Sequence, residues 1–204
     1  MHTWVETREA FDAAARWFAA TVPSDSAAWV LPGLGVWSVR DLVGHTSRAL
    51  LTVESYLQQP APPVQVTSPA EYVALAMASV GDPQAVAQRG RDAGAALGDD
   101  LVSSVRVVVE RVTTLVAGTE PTAVAATPVG AMHLQDYLPT RTFELTVHTC
   151  DLAVALGEPV QPPDPAAAES VGLVADLALR SGQAPALLLA STGRRALPSG
   201  FSVL

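Results

Sequence analysis

The chain has 204 residues, of which 49% are hydrophobic, enough to bury one sizeable core. The formal net charge is −8 and all twelve basic residues are scattered arginines, which argues against a nucleic-acid-binding face or a polybasic membrane tag. Cys150 is the single cysteine, so no intrachain disulfide is expected, and no apolar run approaches the ~18 residues of a membrane span. The first residues lack a signal-peptide pattern. We therefore expect a cytoplasmic protein with neither nucleic acid nor membrane as a partner.

Hydrophobic periodicity and capping signals predict two long helices in the first third of the chain. A helix over residues 5–21 is indicated by an apolar stripe at helical spacing, formed by Phe11, Ala14, Ala15 and Phe18. Ser38 and Asp41 have the spacing of a capping box, and they predict a second helix that ends near residue 57. A loop rich in Gly and Pro separates the two helices, and a Pro-rich linker follows at residues 58–63.

The middle of the chain predicts three shorter helical segments. Ser68 caps a helix that ends near residue 81, and a second helical stretch begins at Asp82. A Gly-Asp-Asp sequence at 98–100 interrupts this stretch or starts a new helix. Residues 101–116 carry Val at helical spacing, which favours helix over strand despite the β-branched side chains.

The last part of the chain predicts a loop, two helices and a tail. Residues 118–133 are rich in Gly, Pro and Thr and are predicted as a loop. A core helix follows over 134–156, with Pro139 marking its start or a kink, and a further helix follows over 164–181. Two short extended pieces are predicted in the tail at 186–204.

These elements together predict a mostly α fold, an antiparallel four-helix bundle with an additional C-terminal helix and a short extended tail. We expect the bundle to occupy residues 1–160. Residues 161–204 would pack on it as part of the same domain.

The last core helix carries four polar residues with the spacing of a ligand site. Glu144 and His148 are four residues apart and share a face, with Asp151 three residues after His148 and Arg141 three before Glu144. The opposite face is apolar and predicts a central helix, in which buried polar groups need partners or a metal ion; it carries Phe143, Val147, Cys150 and Val154. Two interpretations remain open, a network pairing Arg141 with Glu144 and His148 with Asp151, or a metal site.

The other histidines and the cysteine differ in how well their positions suit a metal ligand. His45 lies one turn inside the second helix, beside Gly44, which would allow close approach of a neighbouring helix. His2 is terminal, and His133 is too far along the chain from Glu144 to join the same ion through a continuous helix. Cys150 is two residues from His148 and is interpreted as core packing.

Two segments resemble the mycothiol-dependent maleylpyruvate isomerase family of the DinB-like superfamily. They are Trp37-Ser38-Val39-Arg40-Asp41-Leu42-Val43-Gly44-His45 and Arg141-Thr142-Phe143-Glu144-Leu145-Thr146-Val147-His148-Thr149-Cys150-Asp151-Leu152-Ala153. The resemblance implies a DinB-like bundle whose metal triad falls on His45, Glu144 and His148. Zinc is the expected divalent metal, nickel is the alternative, and mycothiol is the implied thiol cofactor. The absence of Lys, Ile and Asn suggests a high-GC bacterial genome, in agreement with mycothiol.

A metal- and thiol-dependent enzyme would also give roles to further residues and to partners. Asp151 would orient His148, and Arg141 would meet a substrate carboxylate. The characterised isomerases have a further C-terminal domain with an essential arginine, and this chain is too short to contain that domain in full, so Arg194 or Arg195 is a candidate replacement. The expected partners are a small electrophile and a low-molecular-weight thiol, with a homodimer as an expected assembly of such bundles.

Three functions are compatible with these residues. The first is a metal- and thiol-dependent isomerase or S-transferase, in which a thiolate adds to an electrophilic carbon. The second is a non-catalytic metal-binding or regulatory module on the same fold. The third is a hydrolase that uses metal-activated water without a thiol.

Overall fold

The computed structural model of the chain describes residues 3–60, 62–79 and 81–204, so His2 and Ala61 of the predicted linker lie outside the described residues. Within these ranges the fold is mostly helical, and no helix combines the length and hydropathy that a membrane span needs. The elements in chain order are α1 (Trp4–Thr21), α2 (Val39–Leu57), α3 (Pro69–Ala78), α4 (Pro83–Ala96), α5 (Leu101–Ala117), β1 (Val124–Thr127), β2 (Gly130–His133), α6 (Leu134–Leu156), α7 (Asp164–Arg180) and α8 (Ala184–Ser191). The predicted loop between α1 and α2 also contains a short 3-10 helix, Ser26–Val30.

Four long helices form the bundle, because α1 and α2 each pack against both α5 and α6. The predicted stripe of α1 is buried, and the side chains of Phe11 and Phe18 are at most 1% exposed. They pack in one apolar cluster with leucines of α2 and α6 and valines of α5. The remaining helices lie on the outside of this core. Helix α4 packs along α2, α3 contacts α6 and α7, α7 contacts α1 and α6, and α8 contacts α7.

The predicted start of α2 is confirmed in atomic detail. The Ser38 hydroxyl accepts a hydrogen bond from the backbone N–H of Asp41 at 3.3 Å, and the backbone N–H of Ser38 donates to Asp41 Oδ2 at 3.0 Å. Two of the free N–H groups at the helix start are thereby satisfied. Pro139 lies inside α6, which begins at Leu134, so this proline does not start the helix.

Two segments depart from the sequence-based prediction. The predicted loop at 118–133 contains an antiparallel hairpin of β1 and β2, whose turn is closed by a hydrogen bond from the Thr127 hydroxyl to the carbonyl of Gly130 at 2.6 Å. The tail was predicted as extended from residue 186, but α8 is helical. Its sequence is apolar on every side and therefore has no helical period to detect, although Gly193 follows in the left-handed conformation that often ends helices.

The prediction that α6 is apolar and buried on both sides is wrong for one of its faces. Phe143 is buried, but Val147 is 36% exposed and Val154 is 68% exposed. Helix α6 contacts α1, α2, α3 and α7. None of these helices covers the face that carries Val147 and Val154, so this face is exposed to solvent. The polar residues of α6 therefore lie on its inward side, where α2 is the neighbouring helix that carries His45.

Candidate metal centre

Helices α2 and α6 bring His45 next to Glu144 and His148. One potential ligand atom from each of the three residues lies within 4.8 Å of the others. The imidazole rings of His45 and His148 meet edge to face, with centroids 4.8 Å apart and planes at 81°. The Nε2 atom of His148 lies 3.3 Å from Oε2 of Glu144. The three residues that the family resemblance implied as a triad are thus neighbours in the fold.

The two histidines differ in what their other atoms contact. The Nδ1 atom of His148 lies 3.0 Å from Oδ2 of Asp151, as the i, i+3 spacing predicts. By contrast, Nδ1 of His45 is buried and has no hydrogen-bond partner among the described residues. A buried nitrogen left without a partner costs about 1–3 kcal/mol.

The residues present fit a divalent transition-metal ion. Two imidazoles and one carboxylate are a donor set typical of zinc and related ions. An ion held by these side chains would also offer a partner to the ring of His45, whose buried Nδ1 has none among the described residues.

The electrostatics of the cluster prepare two of its three residues as ligands. Burial, reinforced by the positive charge of His148, lowers the pKa of His45 to about 4, so its imidazole is neutral at pH 7. Burial alone would raise the pKa of Glu144, but the hydrogen bond from His148 and the charge of Arg141 outweigh it and lower the pKa to about 2. A neutral imidazole and an ionised carboxylate are the forms that bind metal.

The His148 ring, unlike that of His45, is held in its protonated form. Burial lowers its pKa, but its hydrogen bonds to Asp151 and Glu144 prevail and raise the pKa to about 9. The ring therefore carries a proton at neutral pH in the arrangement described. Binding of a cation has to displace that proton, which makes metal binding dependent on pH.

Arg141 does not form the ion pair with Glu144 that one sequence interpretation predicted. Its Nε donates to the hydroxyl of Thr140 at 3.0 Å, and its guanidinium lies over the rings of Tyr72 and Tyr137 at 5.4 and 5.0 Å from their centroids. Among the described residues no salt bridge joins Arg141 to a carboxylate, and no hydrogen bond engages its terminal nitrogens. This arginine can thus offer a planar pair of donors to an anion beside the cluster.

The sequence analysis missed a second arginine beside the cluster. Arg48 follows His45 by three residues on α2, and its charge acts on both His45 and Tyr56. Within the part of the chain that the structure describes, Arg48 forms no salt bridge. The i, i+3 spacing from His45 was the available signal, because residues at that spacing share a helix face.

The other candidates lie apart from the cluster or outside the described residues. His133 ends β2, and its Nδ1 lies 2.9 Å from the carbonyl of Thr122. Cys150 is partly buried, and burial raises the pKa of its thiol, which disfavours the reactive thiolate. Arg194 and Arg195 are exposed beyond α8, and their role as replacements for a catalytic arginine stays a prediction. His2 is outside the described residues.

The fold and the cluster define a helical-bundle protein with a candidate metal centre between α2 and α6. A family model, the mycothiol maleylpyruvate isomerase N-terminal domain, matches residues 7–153. The chain belongs to this family, and the match includes all three residues of the cluster. Comparison with curated proteins and with solved structures found no match. The family associates the chain with mycothiol, a low-molecular-weight thiol, and with a small substrate.

Proposed function

We propose that the protein is a metal- and mycothiol-dependent enzyme of isomerase or S-transferase type that acts on a small electrophile. His45, Glu144 and His148 are the proposed ligands, with zinc as the expected ion and nickel as the alternative. The observation that carries this proposal is the convergence of the three side chains, together with the buried and unpartnered Nδ1 of His45. Three protein ligands are the pattern of catalytic zinc sites, which keep one position open for a reactant.

The ion and the residues around it have separate parts in this proposal. A bound divalent ion would stabilise the thiolate of the cofactor at neutral pH, and the thiolate is the nucleophile. Asp151 accepts a hydrogen bond from the Nδ1–H of His148, so the nitrogen that would be available to an ion is Nε2, which faces Glu144. Asp151 is therefore proposed as a positioning residue.

Arg141 is the proposed substrate-binding residue. The faces of Tyr72 and Tyr137 hold its guanidinium, and its charge reaches Glu144 and His45. An electrophile that carries a carboxylate would bind the terminal nitrogens of Arg141 and lie beside the thiol. Arg48 on α2 adds a second positive charge near the same site.

The proposal is tested by turnover of maleylpyruvate and other small electrophiles by protein loaded with zinc or nickel, with and without mycothiol. We expect turnover only when both the ion and the thiol are present. His148→Ala should reduce it by at least about 1,000-fold, on the scale of losing a metal or a nucleophile. His133→Ala is the matched control, because this half-buried histidine lies on the hairpin outside the cluster, and it should keep wild-type turnover.

Two results would contradict the proposal. Turnover that persists without any thiol would point to a metal-activated-water hydrolase. Binding of the ion without any thiol-dependent chemistry would point to a non-catalytic module.

A further inference from the structure

Among the residues that the structure describes, His45 has no carboxylate partner of the kind that orients His148, and its ring packs against an indole instead. The centroids of the Trp37 and His45 rings are 4.4 Å apart and the ring planes are tilted by 32°. Trp37 precedes the N-cap of α2, so its side chain reaches along the helix to the ring of His45. At this distance the two rings are in van der Waals contact, and the indole restricts rotation of the imidazole.

The position of Trp37 is in turn determined by α4. Its indole Nε1 donates a hydrogen bond to the carbonyl of Ala87 at 3.0 Å. A Cβ atom built on Gly90 would lie 2.7 Å from Nε1 and Cε2 of the indole, closer than real Cβ atoms come to other atoms. The indole therefore rests on the α4 backbone at a point where only glycine leaves room.

Helix α4 is held against α2 by backbone contact and hydrogen bonds. A Cβ atom on Gly44 would overlap the backbone of Gly94, and a Cβ atom on Gly94 would lie 2.8 Å from the carbonyl oxygen of Arg40. The Arg40 side chain donates to the carbonyls of Gly94 at 3.0 Å and Gly98 at 2.6 Å. The close approach expected beside Gly44 is thus confirmed.

Apolar burial contributes little to this packing. Among the α4 side chains that the structure describes, Ala87 is the one buried apolar side chain. The contact between α4 and α2 therefore depends on the short backbone approach, and its register is specific. That register places the Gly90 backbone under the indole.

We propose that Trp37 is the positioning residue for His45 and that Gly90 provides the space on α4 that the Trp37 indole occupies. The proposal rests on the proposed function insofar as His45 is a metal ligand. The indole holds the imidazole with one ring nitrogen within 4.8 Å of the ligand atoms of Glu144 and His148. The two histidines of the cluster are thus oriented by different means, His148 by a carboxylate and His45 by an aromatic face.

Two substitutions and two matched controls test this proposal. Trp37→Leu removes the aromatic face, and Gly90→Ala would displace the indole without substituting any residue of the cluster. Trp17→Leu is the control for the first, because Trp17 lies on α1, which packs on α5, α6 and α7. Gly172→Ala is the control for the second, because a Cβ atom at this position in α7 meets open space. Thermal melting of each variant verifies that it folds.

The first readout requires no cation. The carbon-bound imidazole protons of His45, assigned with His45→Gln, should carry the ring-current shift of Trp37 in NMR spectra. We expect that shift to be lost in Trp37→Leu and the signals to broaden or split in Gly90→Ala, with no change in either control. Unchanged His45 signals in both test variants would overturn the proposal, whatever the cation does.

The second readout is binding of Co²⁺, followed by calorimetry and by the visible absorption that reports the ligand geometry. We expect affinity to fall by about 10- to 100-fold in both test variants, as for other groups that orient a ligand histidine, with an altered spectrum. Trp37→Phe should recover part of the affinity, since it keeps a ring face. Wild-type Co²⁺ affinity in both test variants would overturn the proposal. If wild type binds no Co²⁺ while the NMR changes occur, the positioning by Trp37 stands and the proposed function fails.

Discussion

The imidazole of His148 lies between two carboxylates, 3.3 Å from Glu144 through Nε2 and 3.0 Å from Asp151 through Nδ1. Each carboxylate stabilises the protonated ring, and together they overcome the burial that would otherwise lower the pKa of His148. A divalent ion at the cluster would take the place of the Nε2 proton. The same contacts that attract a proton therefore also attract a metal ion.

Asp151→Asn tests how much of the raised pKa of His148 is due to the Asp151 carboxylate. In protein stripped of metal, we expect the pKa of His148 to fall from about 9 toward its ordinary value of 6.5, because the strongest of its favourable hydrogen bonds loses its charge. An NMR pH titration of the His148 ring measures the midpoint. Asp176→Asn, at an exposed site on α7, should leave the midpoint unchanged. An unchanged midpoint in Asp151→Asn would show that Asp151 does not hold the proton.

Arg141→Lys tests the proposed anion site. Lysine keeps the charge but loses the planar pair of donors, so we expect the KM for a carboxylate-bearing electrophile to rise about 10-fold or more while metal content stays constant. A neutral electrophile should be affected much less. Steady-state kinetics with both substrates separate these effects, and Arg106→Lys on the exposed side of α5 is the control. Equal changes for both substrates would contradict recognition of a carboxylate by Arg141.

Glu169 on α7 predicts a pH dependence of stability unrelated to the metal centre. Its side chain is 4% exposed, Oε1 accepts a hydrogen bond from the Thr7 hydroxyl at 3.0 Å, and Oε2 has no partner among the described residues. Burial raises the pKa of Glu169 to about 7 from its ordinary 4.5. The folded state therefore binds this proton more tightly than the unfolded state, and its contribution to stability is lost as pH rises from 4.5 through 7.

Glu169→Gln should remove this loss, because the amide stays neutral at every pH. At pH 8 we expect the variant to be more stable than wild type by as much as about 3 kcal/mol, and at pH 5 the difference should be small. Urea unfolding at the two pH values measures both free energies. Glu120→Gln, at an exposed site, should show no such dependence on pH. If the free energy of unfolding of Glu169→Gln changed with pH as that of wild type does, Glu169 would not be the source of the pH dependence.

Local sequence signals were sufficient for α1 to α7 and for two of the three residues of the cluster. Ser38 and Asp41 predicted the start of α2, and the spacing of Glu144 and His148 predicted that they share a face of α6. Such signals act within one or two helical turns. The pairing of α2 with α6, which brings in His45, follows from packing of the whole bundle and was predicted from family resemblance instead.

Two parts of the site could not be predicted for the same physical reason. The contact of Trp37 with His45 depends on how closely α4 approaches α2. Gly44 indicated that a helix could come close to α2, but nothing local indicated that Gly90 of α4 would lie under the indole. One of the two interpretations of the sequence paired Arg141 with Glu144, because their spacing allows an ion pair. In the fold it lies instead over tyrosines from α3 and α6, one of which is distant in sequence.

The central claim is that His45, Glu144 and His148 hold one divalent ion. It is tested most directly by elemental analysis of protein purified without a His-tag, in which wild type is compared with His148→Ala and with the control His133→Ala. We expect close to one ion per chain in wild type and in His133→Ala, and its loss in His148→Ala. Absence of metal from wild type, even after incubation with zinc or nickel salts, would contradict the claim and leave the three residues as a buried polar cluster.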